Sequence, residues 1–293
     1  MTPVDSFRRT QAAGWNHRRW FIRLPGLVAN ETGAILANFR RSWRVLWALT
    51  FIESRRKYAG SILGMVWYPT YAALLLGSYC FVYLVVFRLR FKELGTYAYV
   101  LFVFAGLIPY LGMTEAVSTS TTSVRQSLAI LKNAVFPIEF VPVKFVCAAL
   151  FGLFSSLGIL LIMVVPTAFF GWHLLYLPVA IAGLFTFCVM IAWLFSAAAV
   201  LVPDVAQVIN ILLLLLMFVS PVGYSIDMVP ERARVLVYLN PLTYLIEAFR
   251  YALLGMRVLP FWTDAVFIAS CLVGASLTGT VFRRLSPMFA DYE

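Results

Sequence analysis

The stretch VWYPTYAALLLGSYCFVYLVVF, Val66 to Phe87, carries no charged side chain over 22 residues. About 20 apolar residues let a helix cross a hydrocarbon core of about 30 Å. Only helices and closed barrels satisfy their backbone there, and the apolar residues of this stretch are continuous instead of alternating, which reads as helix. Five more runs of the same kind follow, at about Tyr97–Val117, Val141–Val165, Leu175–Val202, Val208–Val222 and Trp262–Phe282. The whole chain is 62% hydrophobic and 12% charged, against about 25% charged for a soluble domain. The sequence therefore predicts an all-α polytopic membrane protein with six transmembrane helices.

Charge sets its orientation. Eleven basic residues precede the first run: Arg8, Arg9, Arg18, Arg19, Arg23, Arg40, Arg41, Arg44, Arg55, Arg56 and Lys57, opposed by Asp5, Glu31 and Glu53. A basic flank beside an apolar run marks the cytoplasmic side and attracts anionic membrane lipid, so no nucleic-acid partner is expected. An even number of spans puts both termini in the cytoplasm. Cytoplasmic segments then hold sixteen basic residues, the eleven together with Arg125, Lys132, Lys144, Arg283 and Arg284. Outer segments hold seven, Arg88, Arg90, Lys92, Arg232, Arg234, Arg250 and Arg257, an excess of the right sign. The expected organisation is a cytoplasmic segment over 1–65, a transmembrane domain over 66–282 and a cytoplasmic tail over 283–293. The start, MTPVDSFRRTQAAGWNHRRW, lacks a signal peptide's apolar core and cleavage site, so no cleaved leader is expected. Cys80, Cys147, Cys188 and Cys271 lie in apolar runs, and His17 and His173 are isolated, so neither disulfide nor metal is expected.

Three segments are neither spans nor plain loops. In RRSWRVLWALTFIESRRKY, Arg40 to Tyr58, the residues Trp43, Leu46, Trp47 and Phe51 form an apolar stripe bordered by arginines. That pattern predicts an amphipathic helix over about 40–58, lying in the membrane interface. In SLAILKNAVFPIEFVPVKF, Ser127 to Phe145, Leu128, Leu131 and Val135 share a helix face beside Lys132, and Phe136 and Pro137 end the helix. A helix over about 120–137 at the cytoplasmic edge is a connector, a re-entrant loop or a surface for a partner to push on. The topology disfavours the loop, and the apolar stripe disfavours the connector. Between Tyr224 and Trp262 the pattern predicts two short outer helices within about 228–257, split at Asn240 and Pro241. There Glu247 and Arg250, three residues apart, are placed to pair.

Catalytic signatures are absent. No lysine stands in a G-x-x-x-x-G-K-[ST] phosphate loop, and neither H-E-x-x-H nor G-x-S-x-G occurs. Mid-span carboxylates, which an ion-coupled carrier would need, are nearly missing, so the driving energy is expected from elsewhere. Aromatic side chains are abundant, at 16%. Tyr68, Tyr71, Tyr79 and Tyr83 follow the first span, and Tyr99, Phe102 and Tyr110 lie close to one face of the second. Such a stripe either packs helices together or lines a conduit for sugars, whose C–H faces stack on rings.

Several stretches, taken in order, resemble the permease subunits of type-2 ABC exporters that move polysaccharides, such as O-antigen and teichoic acid permeases. ESRRKYAGSILGMVWYPTY is similar to that family's Arg-x-Arg-Tyr-x-x-Ser-x-Leu-Gly-x-x-Trp approach to the first span, through Arg55, Lys57, Tyr58, Ser61, Leu63, Gly64 and Trp67. FAGLIPYLGMTEAVSTSTTSV resembles its Gly-Leu-x-Pro-Trp segment, with Tyr110 in place of tryptophan. LNPLTYLIEAFRYALLG resembles its external gate helices. FRRLSPMFADYE resembles its Arg-Phe-Ala-Glu ending, with Met288 and Asp291 as departures. SLAILKNAVFPIEF is similar to its coupling segment through Lys132, Phe136 and Pro137, with Asn133 where a second lysine is common. The likeness covers the chain from about Ala34 onward.

The resemblance implies a homodimer, two copies of a separate cytoplasmic ATPase that binds ATP and Mg, and a lipid-linked glycan substrate in a bacterial inner membrane. No cofactor is expected in this chain. Leu128, Leu131, Lys132, Val135, Phe136 and Pro137 would then contact the ATPase, and Trp43 and Trp47 would guide the lipid. Arg55, Arg56 and Lys57 would meet its diphosphate, or else serve only as positive-inside anchors. Asn240, Pro241, Glu247 and Arg250 would belong to the external gate. The same fold carrying a drug or another lipid is the alternative, and a membrane-embedded glycosyl or acyl transferase a more distant one.

Overall fold

A computed structural model describes residues 17–86, 95–131 and 137–291. Among them are nine α-helices and no strands. Helix α1 spans His17–Arg56, and a 3-10 turn at Gly64–Val66 leads into α2, Trp67–Cys80, which continues as a π-helical turn over Phe81–Val86. Then come α3, Thr96–Leu131, and α4, Phe140–Val164, with a 3-10 turn at Trp172–Tyr176 before α5, Leu177–Leu201. After α6, Val205–Val219, lie the short α7, Glu231–Leu239, and α8, Pro241–Leu254. The described chain closes with α9, Trp262–Leu285, and a 3-10 turn at Ser286–Asp291.

Among the described residues, four helical segments are long and apolar enough to cross a membrane: Thr96–Ser127, Phe140–Val164, Trp172–Leu201 and Trp262–Phe289. They fall on the second, third, fourth and sixth expected runs. The other two expected runs, the first and the fifth, fall on α2 and α6. α6 has 15 residues and so reaches about 22 Å, less than the bilayer core, because Pro203 and Pro221 bracket it. α2 has 14 residues, after which its winding loosens into the π turn.

α3 is the central element. It packs on α4, α5 and α8, and 78% of its most apolar stretch is buried, against 22% for α9. With 36 residues it is about 54 Å long. It runs past the expected span end at Val117 and absorbs the first part of the segment expected as a separate helix over 120–137. The run STSTTS, Ser118 to Ser123, explains why. Serine and threonine leave helices where their hydroxyls compete for backbone groups elsewhere. Here Thr119 donates to the Glu115 carbonyl at 2.7 Å, Thr121 to that of Val117 at 2.7 Å and Ser123 to that of Ser120 at 2.6 Å. Ser118 donates to Asn210 Oδ1 of α6 at 2.7 Å. The polarity is satisfied without breaking the rod.

α1 is also longer than the expected 40–58. No proline or glycine interrupts it between Gly33 and Arg56. Its buried line is Leu46, Thr50 and Ser54, one residue per turn. Thr50 donates to the Leu46 carbonyl at 2.8 Å and Ser54 to the Thr50 carbonyl at 2.9 Å, so small side chains admit close packing on α4 with no unsatisfied hydroxyl. That is how helices associate in lipid, where water release contributes little. The sequence stripe grouped Leu46 with Trp43, Trp47 and Phe51, yet the aromatics stand half exposed to one side of that line. Between α1 and α2, Gly60 and Gly64 take φ of 82° and 51°, which lets the chain turn sharply upward.

Candidate functional site

The turn after α1 brings two groups of predicted residues into one place. Lys57 Nζ lies 2.5 Å from Glu115 Oε1 of α3, 5.2 Å from the ring centre of Tyr68 and 5.4 Å from that of Tyr58. Tyr58 and Tyr68 meet edge to face at 4.8 Å. A small cavity of about 40 Å³ opens beside them, lined also by Tyr71, Gly152 and Ser156. Burial works most strongly against the charge of Lys57, but the Glu115 carboxylate together with Tyr58 and Tyr68 holds the ammonium above its ordinary value. Arg55 and Arg56 are exposed on the last turn of α1, and Arg55 leans over the Phe51 ring. Trp43 and Trp47 stack at 5.8 Å, nearly parallel at 10°, and Trp47 stacks on Phe151 of α4. The last turns of α1 and the turn after it thus carry a stacked aromatic pair, exposed cations and a polar pocket.

Tyr99, Phe102, Tyr110 and Tyr79 make their contacts elsewhere in the bundle. Tyr99 donates to the Gly223 carbonyl at 3.1 Å and Tyr110 to the Leu213 carbonyl at 2.6 Å. Phe102 is buried under the Arg250 guanidinium at 3.6 Å. Tyr79 reaches Met217 Sδ at 3.5 Å, while Tyr71 is 58% exposed. Tyr83 lies on the π turn. Tyr68, Tyr99, Phe102 and Tyr110 are therefore committed to contacts within the chain.

At the opposite end of α3 the helix pair α7–α8 is built around Asn240. It caps α8 by accepting from the Leu242 amide at 3.0 Å, and it donates to Ser220 Oγ at 2.8 Å. Pro241 follows at the first helical position, where its missing N–H costs nothing. Arg250 pairs with Glu247 at 3.1 Å, both within 2% of full burial. Its Nη2 donates to the carbonyls of Pro221 at 2.6 Å and Val222 at 2.9 Å, and its Nη1 to that of Tyr224 at 3.4 Å. Together with Tyr99 on Gly223, every carbonyl from Pro221 to Tyr224 has a donor. Glu247 in turn accepts from the Val258 amide at 3.1 Å. Burial pulls the Arg250 guanidinium down to about 10, opposed by Glu247, so it stays charged at neutral pH.

Gly106 of α3 is what lets this cluster close. A Cβ there would lie 3.0 Å from the Val222 carbonyl oxygen and 3.3 Å from Arg250 Nη2. Gly106→Val is expected to destabilise by about 1–3 kcal/mol through overpacking, read as a lower unfolding midpoint of the purified protein.

A third cluster escaped the sequence reading. Asp264, in the first turn of α9, accepts from Arg257 Nη1 at 2.8 Å and from the Tyr176 hydroxyl at 2.5 Å. Arg257 also lies 4.1 Å over the Phe261 ring and donates to the carbonyls of Leu259 and Pro260. The available signal was a carboxylate opening an apolar helix with an arginine seven residues before it.

Of the candidate partner-contact residues, Lys132, Val135 and Phe136 lie outside the described residues. Leu128 and Leu131 form the last turn of α3, and Pro137 precedes α4. Close by, Glu139 accepts from Asn38 of α1 at 3.2 Å and lies 3.8 Å from Arg283 of α9. Trp193 of α5 donates to its carbonyl at 2.8 Å. Glu53 of α1 pairs with Lys144 of α4 at 3.2 Å. One end of the bundle is thus tied through α1, and the other through Arg250 and Arg257.

A family model described as ABC-2 type transporter matches residues 41–254. Among curated proteins, the chain is 26% identical over 205 residues to an O-antigen export system permease protein RfbA from Myxococcus xanthus, covering 68% of this chain and 75% of that one. It is 23% identical over 253 residues to an O-antigen export system permease protein RfbA from Klebsiella pneumoniae, covering 84% of this chain and 94% of that one.

Proposed function

The chain belongs to the ABC-2 type transporter family, and from that premise we propose that it is the permease half of an ATP-driven exporter of a lipid-linked polysaccharide. The names of both relatives support the substrate class. The observation that carries the reading is the convergence at the end of α1. Lys57 lines the pocket of Tyr68 and Tyr71, Arg55 and Arg56 are exposed on the turn just before it, and the Trp43–Trp47 pair lies farther back along the same helix. A lipid diphosphate needs cationic donors for its head group, an apolar or aromatic surface for its tail and a polar path for its sugars. All three are found on the last turns of α1 and the turn after it. Tyr71, with its ring exposed, and Tyr79 and Tyr83 farther along are the members of the stripe we assign to the glycan path.

In this reading six helices cross the cytoplasmic membrane of a bacterium, α2 and α6 included. The junction of Asn38, Glu139 and Arg283 supports placing α1, the α3–α4 turn and the end of α9 on one side, the cytoplasmic one. Two copies of this chain pair with two copies of a separate ATPase, which binds ATP and Mg. The segment from Leu128 to Pro137 receives the ATPase, and α7–α8 act as the outer gate.

Replacing Arg55 and Arg56 together with glutamine tests the head-group role. Export of the glycan is expected to fall by about tenfold or more, as for loss of two charge-assisted contacts, with membrane insertion unchanged on protease mapping. Full export by an inserted protein would show that these arginines only anchor. Copurification of the chain with an ABC ATPase tests the partner, and its loss on Leu131→Asp tests the docking segment.

A further inference from the structure

Glu115 is out of place by every simple account. It sits within the apolar span Thr96–Ser127, where an ionised carboxylate is costly unless paired. The pair that stabilises it comes from the end of α1, 58 residues away in sequence. The contact is also accessible, with 41% of the Lys57 side chain and 27% of that of Glu115 exposed. A permanent structural tie would be better buried, as the Arg250–Glu247 pair is. Two rings flank the ammonium at 5.2 and 5.4 Å and give it a second set of contacts besides the carboxylate. Arg55 and Arg56, two and one residues earlier, have no carboxylate within ion-pair distance among the described residues. Glu115 thus occupies the place on Lys57 that a ligand's anion would take.

We propose that Glu115 is a resident competitor for a diphosphate at Lys57, so that Lys57–Glu115 is a latch released when the diphosphate binds. The proposal rests on the reading of the substrate given above and adds a regulatory role to it. Release has a mechanical consequence. Glu115 and Leu131 belong to the same uninterrupted helix, separated by about 24 Å. While the latch is closed, α3 is fastened to the end of α1. Once the diphosphate has taken Lys57, α3 is free at that point to shift relative to α1, and its far end leads into the segment assigned to the ATPase. Cargo at the membrane surface would in this way reach the energy-supplying subunit through one rod.

The test is a binding measurement on the full chain in phosphatidylcholine nanodiscs, with polyprenyl diphosphate, polyprenol and inorganic pyrophosphate as probes. Glu115→Gln is expected to bind polyprenyl diphosphate about fivefold more tightly than the natural chain, the ratio given by the upper end of an exposed ion pair's strength. Glu115→Asp, shorter by one methylene, is expected to fall between them. Lys57→Met and the double variant Lys57→Met/Glu115→Gln are expected to bind equally weakly, since the competitor matters only where Lys57 is present. A gain in affinity is not produced by misfolding, which separates the latch from a structural role.

Equal affinity of the natural chain and Glu115→Gln overturns the latch and leaves the substrate reading standing. Binding of polyprenyl diphosphate no tighter than polyprenol, in every variant, overturns the substrate reading and the latch together. The same fivefold gain with inorganic pyrophosphate supports an anion-operated latch and assigns the recognition to the phosphates rather than to the lipid.

Discussion

Arg250→Met is expected to lower the stability of the protein by about 3–5 kcal/mol, the range for removing one partner of a buried ion pair. Methionine fills much of the volume and still packs on Phe102, so the loss is one of charge and hydrogen bonding. Glu247 would be left buried with the Val258 amide as its remaining partner. The carbonyls of Pro221, Val222 and Tyr224 would lose the guanidinium donors that now reach them. Lysine is expected to recover little, because a single ammonium cannot serve two separate carbonyls and a carboxylate while lying flat on a ring. The double variant Arg250→Met/Glu247→Gln should be less damaged than the single one, since it leaves no uncompensated charge. The measurement is equilibrium unfolding in mixed micelles, with export by the same variants in cells. An Arg250→Met protein within 1 kcal/mol of the natural one, about the size of an ordinary point-mutation effect, would show that the cluster is solvated in the membrane and the pair dispensable.

Asp264→Ala is expected to have the next largest effect, about 2–4 kcal/mol. It leaves Arg257 nearly buried, at 8% exposure, without a counter-charge. The loss is put below that of Arg250 for two reasons. Arg257 keeps the Leu259 and Pro260 carbonyls as acceptors and the Phe261 ring as a cation–π partner, and Tyr176 is near enough to the surface for its hydroxyl to find other partners. Asp264→Asn retains an acceptor for both groups and should cost about 1–2 kcal/mol, the difference between a charge-assisted and a neutral hydrogen bond. If alanine and asparagine prove equally harmful, the carboxylate's charge is not what holds Arg257.

How much of this was readable beforehand depended on the range of each interaction. The Asn240–Pro241 break was legible because capping and a missing amide act within three residues. The helical, membrane-embedded character was legible from long uncharged runs. The extent of α3 was not, since serine and threonine usually signal a helix end, and only the structure shows their hydroxyls returned to carbonyls of the same helix. Tyr99 and Tyr110 read as a stripe because spacing reports a shared face, whereas their acceptors lie 124 and 103 residues away. Glu115 reads from the sequence only as one charge toward the end of an apolar run, since its partner Lys57 lies in the turn after α1 and no periodicity connects them. Asp264 was passed over for the same reason, its meaning residing in Arg257 and Tyr176 from two other segments.

The short stretch from Ser220 to Tyr224 has been described as a set of hydrogen bonds, but it also acts as a joint with its freedom removed. A proline-containing turn between α6 and α7 would ordinarily be a hinge. Here Ser220 is held by Asn240 and the next four carbonyls by Arg250 and Tyr99, side chains that belong to α8 and α3. α6 and α8 are consequently geared together: neither can tilt without carrying the other or tearing the whole row. Any opening at that end must come as one rigid displacement of α6 with α7–α8, because the junction from Gly255 to α9 is clamped as well, by Glu247 on the Val258 amide and by Arg257 on the Leu259 and Pro260 carbonyls.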